Sequence, residues 1–164
     1  MTITIKGWQL NEYPVGLPSH DAVSLVEKQT EAPGEGQFLI RNEWLSVDPY
    51  MRGRMMQVKS YIAPFEPGHF MEGGAVGEVV ESQHPDFRAG EKVLHMFGWR
   101  DFAVSDGAGV TKLPETGLPI QAFLGIMGLT GLTAWAGLNK VGQLKTGDVV
   151  FVSGAAGAVG STVI

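Results

Sequence analysis

The stretch that most restricts what this chain can become lies at residues 149–164. Val149-Val-Phe-Val152 is a short apolar run without polar alternation, the pattern of a strand buried on both faces of a parallel sheet. It runs directly into Ser153-Gly-Ala-Ala-Gly-Ala-Val-Gly160 and a helical start at Ser161–Ile164. Strand, small-residue turn and helix together make a phosphate-holding element, because backbone N–H groups can approach an anion and the helix N-terminus adds positive dipole. The spacing is Gly154-x-x-Gly157-x-x-Gly160, with Ala155 where the G-x-G-x-x-G fingerprint has its second glycine. Taken alone the turn is equally a tight strand–helix connection; the apolar run ahead of it favours the nucleotide reading. A doubly wound sheet needs on the order of 100 further residues, so the chain reads as the N-terminal part of a longer two-domain protein.

Ahead of this element the rhythm is that of strands between Pro/Gly turns. Thr2–Leu10 and Ala22–Gln29 alternate with β-branched residues, and Ala32-Pro-Gly-Glu-Gly36 makes a turn before a strand at Gln37–Val47. Asp48-Pro49 then starts a short helix over Tyr50–Met56, with aspartate as the expected N-cap and proline at the first helical position. Strands are expected at Gly73–Ser82, Glu91–Met96, Trp99–Val104 and Val110–Leu113, which together describe a mostly antiparallel, barrel-like β domain. After Pro119 the period turns helical as far as about Gly142.

Composition removes several classes of function. The chain has no cysteine, which excludes disulfide frameworks, Cys-ligated zinc and thiol catalysis. Twelve basic against 17 acidic side chains leave a formal charge of −5, and no basic cluster points to nucleic acid. The first residues, Met1 to Trp8, lack a signal-peptide core, so a cytoplasmic protein is expected. Thr116–Asn139 carries no charge, but its length is marginal for a membrane span, and Gly125, Gly128, Gly131 and Gly137 interrupt it. A buried helix that lets other backbone come close is the better reading. Glycine, 23 of 164 residues, is about twice its usual share, as such close approaches require.

Four stretches carry a family resemblance. They are Leu45-Ser-Val-Asp-Pro-Tyr-Met-Arg-Gly-Arg54, Gly73-Gly-Ala-Val-Gly-Glu-Val-Val-Glu-Ser82, Gly131-Leu-Thr-Ala-Trp-Ala-Gly-Leu138 and Gly147–Gly160. In this order the chain resembles the zinc-independent medium-chain dehydrogenase/reductases, among them the leukotriene B4 dehydrogenase/prostaglandin reductases and curcumin reductase-like enzymes. The resemblance implies a GroES-like β domain over residues 1–120. A connecting helix and the first βα unit of an α/β Rossmann domain, truncated, would follow at 121–164. It also implies NADP(H) as cofactor, reduction of the C=C bond of an enone or alkenal, and a homodimer in the full-length protein. No metal is expected: Gly68-His69-Phe70 offers a histidine without the glutamate that accompanies it in zinc-containing relatives.

By the same resemblance, Tyr50 is the candidate to line the substrate pocket, as donor to a carbonyl or as a wall; the alternative is an aromatic packing the short helix. Arg52 is the second candidate catalytic residue, meeting an anionic substrate end or phosphate, or else a surface partner. Arg54 reads as structural. Leu129 and Thr133 fall where such enzymes approach the nicotinamide, although Leu129 and Trp135 depart from the usual Met-Pro-Gly-Leu-Thr-Ala-Tyr run. The rival for Thr133 is back-bonding within its own helix. Gly154, Ala155, Ala156, Gly157, Ala158, Val159 and Gly160 would form the pyrophosphate turn. Alternatives are a quinone reductase of the same superfamily, or a non-catalytic GroES-like fragment; by itself the 164-residue chain is expected to be inactive.

Overall fold

The computed structural model describes residues 1–164 throughout and divides into two compact units, Met1–Glu115 and Thr116–Ile164. The first is mostly antiparallel β structure. Strand β1 (Thr2–Leu10) pairs with β2 (Val23–Glu31) over nine residues, from Thr2 opposite Glu31 to Leu10 opposite Val23. A five-stranded sheet holds β3 (Phe38–Leu45), β4 (Ala75–Ser82), β5 (Lys92–His95), β6 (Phe102–Ser105) and β7 (Thr111–Lys112) in the order β6-β3-β4-β5-β7. Alternation explains these strands: Phe38 and Ile40 on β3, Val79 on β4 and Val93 on β5 face one way and close on Phe87. Each such fully buried apolar side chain stabilises the unit by roughly 1.5–3 kcal/mol.

A second cluster forms where loops converge. Leu10 at the end of β1 packs with Met51, Phe65 and Met71, and with the half-buried Tyr50, Met55 and Trp99. Hydrogen bonds carry β1 to the segment before β6: Trp8 N–H donates to the Trp99 carbonyl at 2.7 Å, and Asp101 N–H to the Lys6 carbonyl at 2.9 Å. Gly7 permits this approach, since a Cβ there would stand 2.7 Å from the Trp99 oxygen.

Helix α1 spans Tyr50–Arg54, and its start differs from expectation. Asp48 makes no side-chain cap. Pro49 occupies the cap position, the Asp48 carbonyl accepts Met51 N–H at 3.0 Å, and the Asp48 carboxylate accepts the Ser46 hydroxyl at 2.9 Å. Ser46, two residues back, competes for the oxygen that a cap would use.

The second unit departs further. The expected helix from Pro119 to Gly142 is broken into a 3₁₀ turn (Ile120–Leu124), α2 (Leu129–Ala136) and one π-helical turn (Gly137–Val141). At Gly125 and Gly128 the ψ angles are −109° and −143°, outside the helical range. Gly128 and Gly131 then allow the chain to fold onto the carbonyls of Phe123 and Ile126, where a Cβ would collide. Nor is α2 a buried helix: only Gly131 and Ala134 are buried. Val149–Val152 forms no strand, and Val149 and Phe151 are 98% and 91% exposed. A strand takes its hydrogen bonds from neighbours, and the second unit contains no strand to pair with it. Helix α3, Ala158–Val163, closes the unit, and no helix is long and apolar enough to cross a membrane.

Candidate active site

The reading from sequence centres on α1, and the structure places Tyr50 on a cavity of about 160 Å³. Pro49, Tyr50, Gly53 and Arg54 form its helical side; Ser60, Tyr61 and Ile62 form the other. Tyr50 is half-buried against the Leu10–Met51–Phe65–Met71 cluster, so its ring has one apolar side and one facing the cavity. Burial pushes its phenol above the ordinary range, and the Asp48 carboxylate adds to the rise; Arg54 opposes it. A phenol is protonated at neutral pH even without this shift, so the hydroxyl is able to donate.

Arg52 does not share that cavity. One guanidinium nitrogen donates to the Gly16 carbonyl, while Nη1 is buried without a protein partner. Arg54, by contrast, is 7% exposed and fully engaged in the site's framework. Nε donates to the Ala63 carbonyl and Nη2 to a Glu72 carboxylate oxygen, both at 2.8 Å, and the guanidinium lies 4.1 Å over the Phe65 ring. His69 is exposed beside Glu66, at 3.7 Å.

Tyr61, Ile62 and Glu72 were not legible as site residues. Ser60, Tyr61 and Ile62 stand in a segment without secondary structure, and Glu72 lies 18 residues beyond its partner Arg54.

In the second unit, Leu129 begins α2 with its side chain largely in solvent. Thr133 Oγ1 donates to the Leu129 carbonyl at 2.6 Å. That bond uses the hydroxyl proton, so the oxygen remains free only to accept. In the glycine turn, Gly154 has φ +63°, Gly157 N–H donates to the Gly154 carbonyl at 2.8 Å, and α3 starts at Ala158. A Cβ at Gly160 would lie 2.2 Å from the Gly154 oxygen, so the turn closes only with glycine there. Ala158, Val159 and Gly160, in the first turn of α3, have no carbonyl four residues back within the helix to accept their N–H groups. A diphosphate needs such a small-residue turn presenting backbone donors, and these residues fit one.

Comparison with known proteins identifies the family. Residues 6–113 match the family model described as the N-terminal domain of oxidoreductase. The chain is 44% identical over 158 residues to the NADPH-dependent curcumin reductase of Escherichia coli (strain K12), covering 96% of this chain and 46% of that protein. Identity to the 2-alkenal reductase (NADP(+)-dependent) of Nicotiana tabacum is 36% over 159 residues, covering 94% and 46%. The crystal structure of CurA in complex with NADPH from Vibrio vulnificus superposes with a TM-score of 0.86 at 42% identity, covering 96% and 47%. The chain thus spans about half the length of the curated relatives it matches.

The antiparallel β unit and the matched residues define the class as an oxidoreductase N-terminal domain. Within that class, the chain belongs to the zinc-independent medium-chain dehydrogenase/reductase family, of which it represents the N-terminal portion.

Proposed function

We propose that the protein bearing this chain is an NADPH-dependent reductase of the C=C bond of α,β-unsaturated aldehydes or ketones. The observation that carries the reading is a protonated tyrosine on a cavity, in a chain 44% identical to a curcumin reductase. We read the first unit as the GroES-like domain, and the second as the connecting helix and the start of a Rossmann domain. In this reading the domain boundary lies near residue 120, and Val149–Val152 becomes a strand only beside further strands. A small-molecule substrate and a cytoplasmic homodimer belong to the same reading, with neither nucleic acid nor membrane as partner.

When bound, NADPH supplies the hydride for the β-carbon. As that carbon is reduced, negative charge grows on the carbonyl oxygen, a donor aimed there lowers the barrier, and a proton from solvent then completes the α-carbon. Tyr50 supplies the donor in this proposal, its phenol kept neutral by burial and by Asp48. Arg52, turned to the Gly16 carbonyl with Nη1 buried, would have to swing outward to meet an anionic group of substrate or cofactor. Thr133, its proton committed to Leu129, accepts from an N–H, which matches a carboxamide; Leu129 supplies an apolar contact beside it. The turn Gly154–Gly160 holds the diphosphate through its backbone N–H groups.

The test is NADPH oxidation by the full-length protein, followed by absorbance with an enone, with mass spectrometry of the product. The saturated ketone is the expected product. Oxidation with a quinone but not with an enone would replace this reading by the quinone reductase alternative.

A further inference from the structure

We propose that Arg54 is a positioning residue: its guanidinium ties Ser60–Phe65 to α1, sets the width of the Tyr50 cavity, and so selects acceptors by bulk. This rests on the Tyr50 cavity being the substrate site, as proposed above.

The two walls of that cavity differ in what holds them. Pro49, Tyr50 and Gly53 belong to α1 or its cap and sit on a packed apolar cluster. Ser60, Tyr61 and Ile62 belong to the segment 57–64, which has neither helix nor strand; Tyr61 is 87% exposed. Arg54 is the junction between them. Its side chain bonds the Ala63 carbonyl at 2.8 Å and covers the Phe65 ring, while its own carbonyl accepts Phe65 N–H at 2.7 Å. Side chain and backbone of one residue therefore grip the loop at both 63 and 65.

Glu72 fixes the guanidinium in turn. The 2.8 Å ion pair compensates a charge that burial would otherwise penalise, and it orients the fork so that Nε faces Ala63. The same guanidinium borders a neighbouring cavity of about 300 Å³, lined also by Glu66, His69 and Glu72. Arg54 is thus the partition between two cavities, and its placement decides the space on the Tyr50 side. Lysine cannot replace it: a single ammonium lacks the planar fork that serves a carbonyl and a carboxylate together.

The experiment uses R54K and E72Q in the full-length enzyme, the second variant keeping the guanidinium and an acceptor for it. Steady-state kinetics compare a small alkenal, 2-pentenal, with a bulky diaryl enone, chalcone. Loosening the far wall should shift the kcat/KM ratio toward the bulky substrate by about tenfold in R54K, and less in E72Q, with the change in KM rather than kcat. Chymotryptic cleavage after Tyr61, which needs no turnover, should quicken by about fivefold as the loop is released. Unchanged cleavage overturns the tie. Equal changes in KM for both substrates overturn the selection by bulk. A wild-type enzyme that turns over no enone overturns the reductase reading, while cleavage still decides whether Arg54 holds the loop.

Discussion

Two side chains show how environment assigns a role that residue type leaves open. Tyr50 could wall a pocket or donate into it; in the proposed reductase its phenol, protonated at neutral pH, donates into the cavity beside it. Tyr50→Phe in the full-length enzyme should lower kcat/KM for an enone by about 10–100-fold and leave NADPH affinity unchanged, as for loss of one oxyanion donor. A loss under about twofold would leave Tyr50 a wall only. His95 is the opposite case, a titratable group with no part in that cavity. It is 2% exposed, accepts Phe97 N–H at Nδ1 and so carries its proton on the partnerless Nε2. Burial first, and the Arg100 charge second, hold its pKa down to about 4. Since the unfolded chain binds that proton near pH 6.5, the neutral imidazole contributes stability that is present above this pH. It is lost as pH falls toward 4, by up to about 3 kcal/mol. Urea unfolding at pH 7 and pH 4.5 checks this: the fall in stability should be smaller in His95→Leu.

At the scale of elements, glycine decides where backbones can meet. Gly77 on β4 lies opposite Asn42, beside a register irregularity in β3, and a Cβ there would stand 2.2 Å from the Arg41 carbonyl oxygen. Backbone cannot yield as a flexible side chain does, so Gly77→Ala should destabilise by about 1–3 kcal/mol, read as a lowered Tm. Gly160→Ala meets the Gly154 oxygen at the same distance, but in the proposed diphosphate turn. It should weaken NADPH binding by the full-length protein by about tenfold or more, measured by fluorescence titration, with the first unit intact. Elements also show what periodicity can convey. Thr2–Leu10 has the limits its alternation implies, because both of its faces are set locally by β-branched residues. The helix after Pro119 does not, because Gly125 and Gly128 take non-helical ψ values that no hydrophobic period encodes.

The whole molecule divides the labour unevenly. Both apolar clusters lie within Met1–Glu115, whereas Thr116–Ile164 buries only Ala134 among its hydrophobic residues. Residues 1–115 expressed alone should therefore melt cooperatively by circular dichroism. Residues 116–164 alone should show no cooperative transition, since burial of an apolar face supplies most helix stability. The amino-acid sequence by itself determined the strand pattern, the short helix at Tyr50 and the glycine spacing of the last turn. Each rests on neighbours a few residues apart, through alternation, small side chains and permitted φ angles. Only the tertiary structure decided that Asp48 takes a hydroxyl instead of capping, that Arg52 turns to Gly16, and that Arg54 meets Ala63 and Glu72 across 9 and 18 residues. It also decided that Val149–Val152 stays unpaired. Ion pairs and sheet hydrogen bonds need partners from elsewhere in the fold, and local pattern does not say where those partners come to rest.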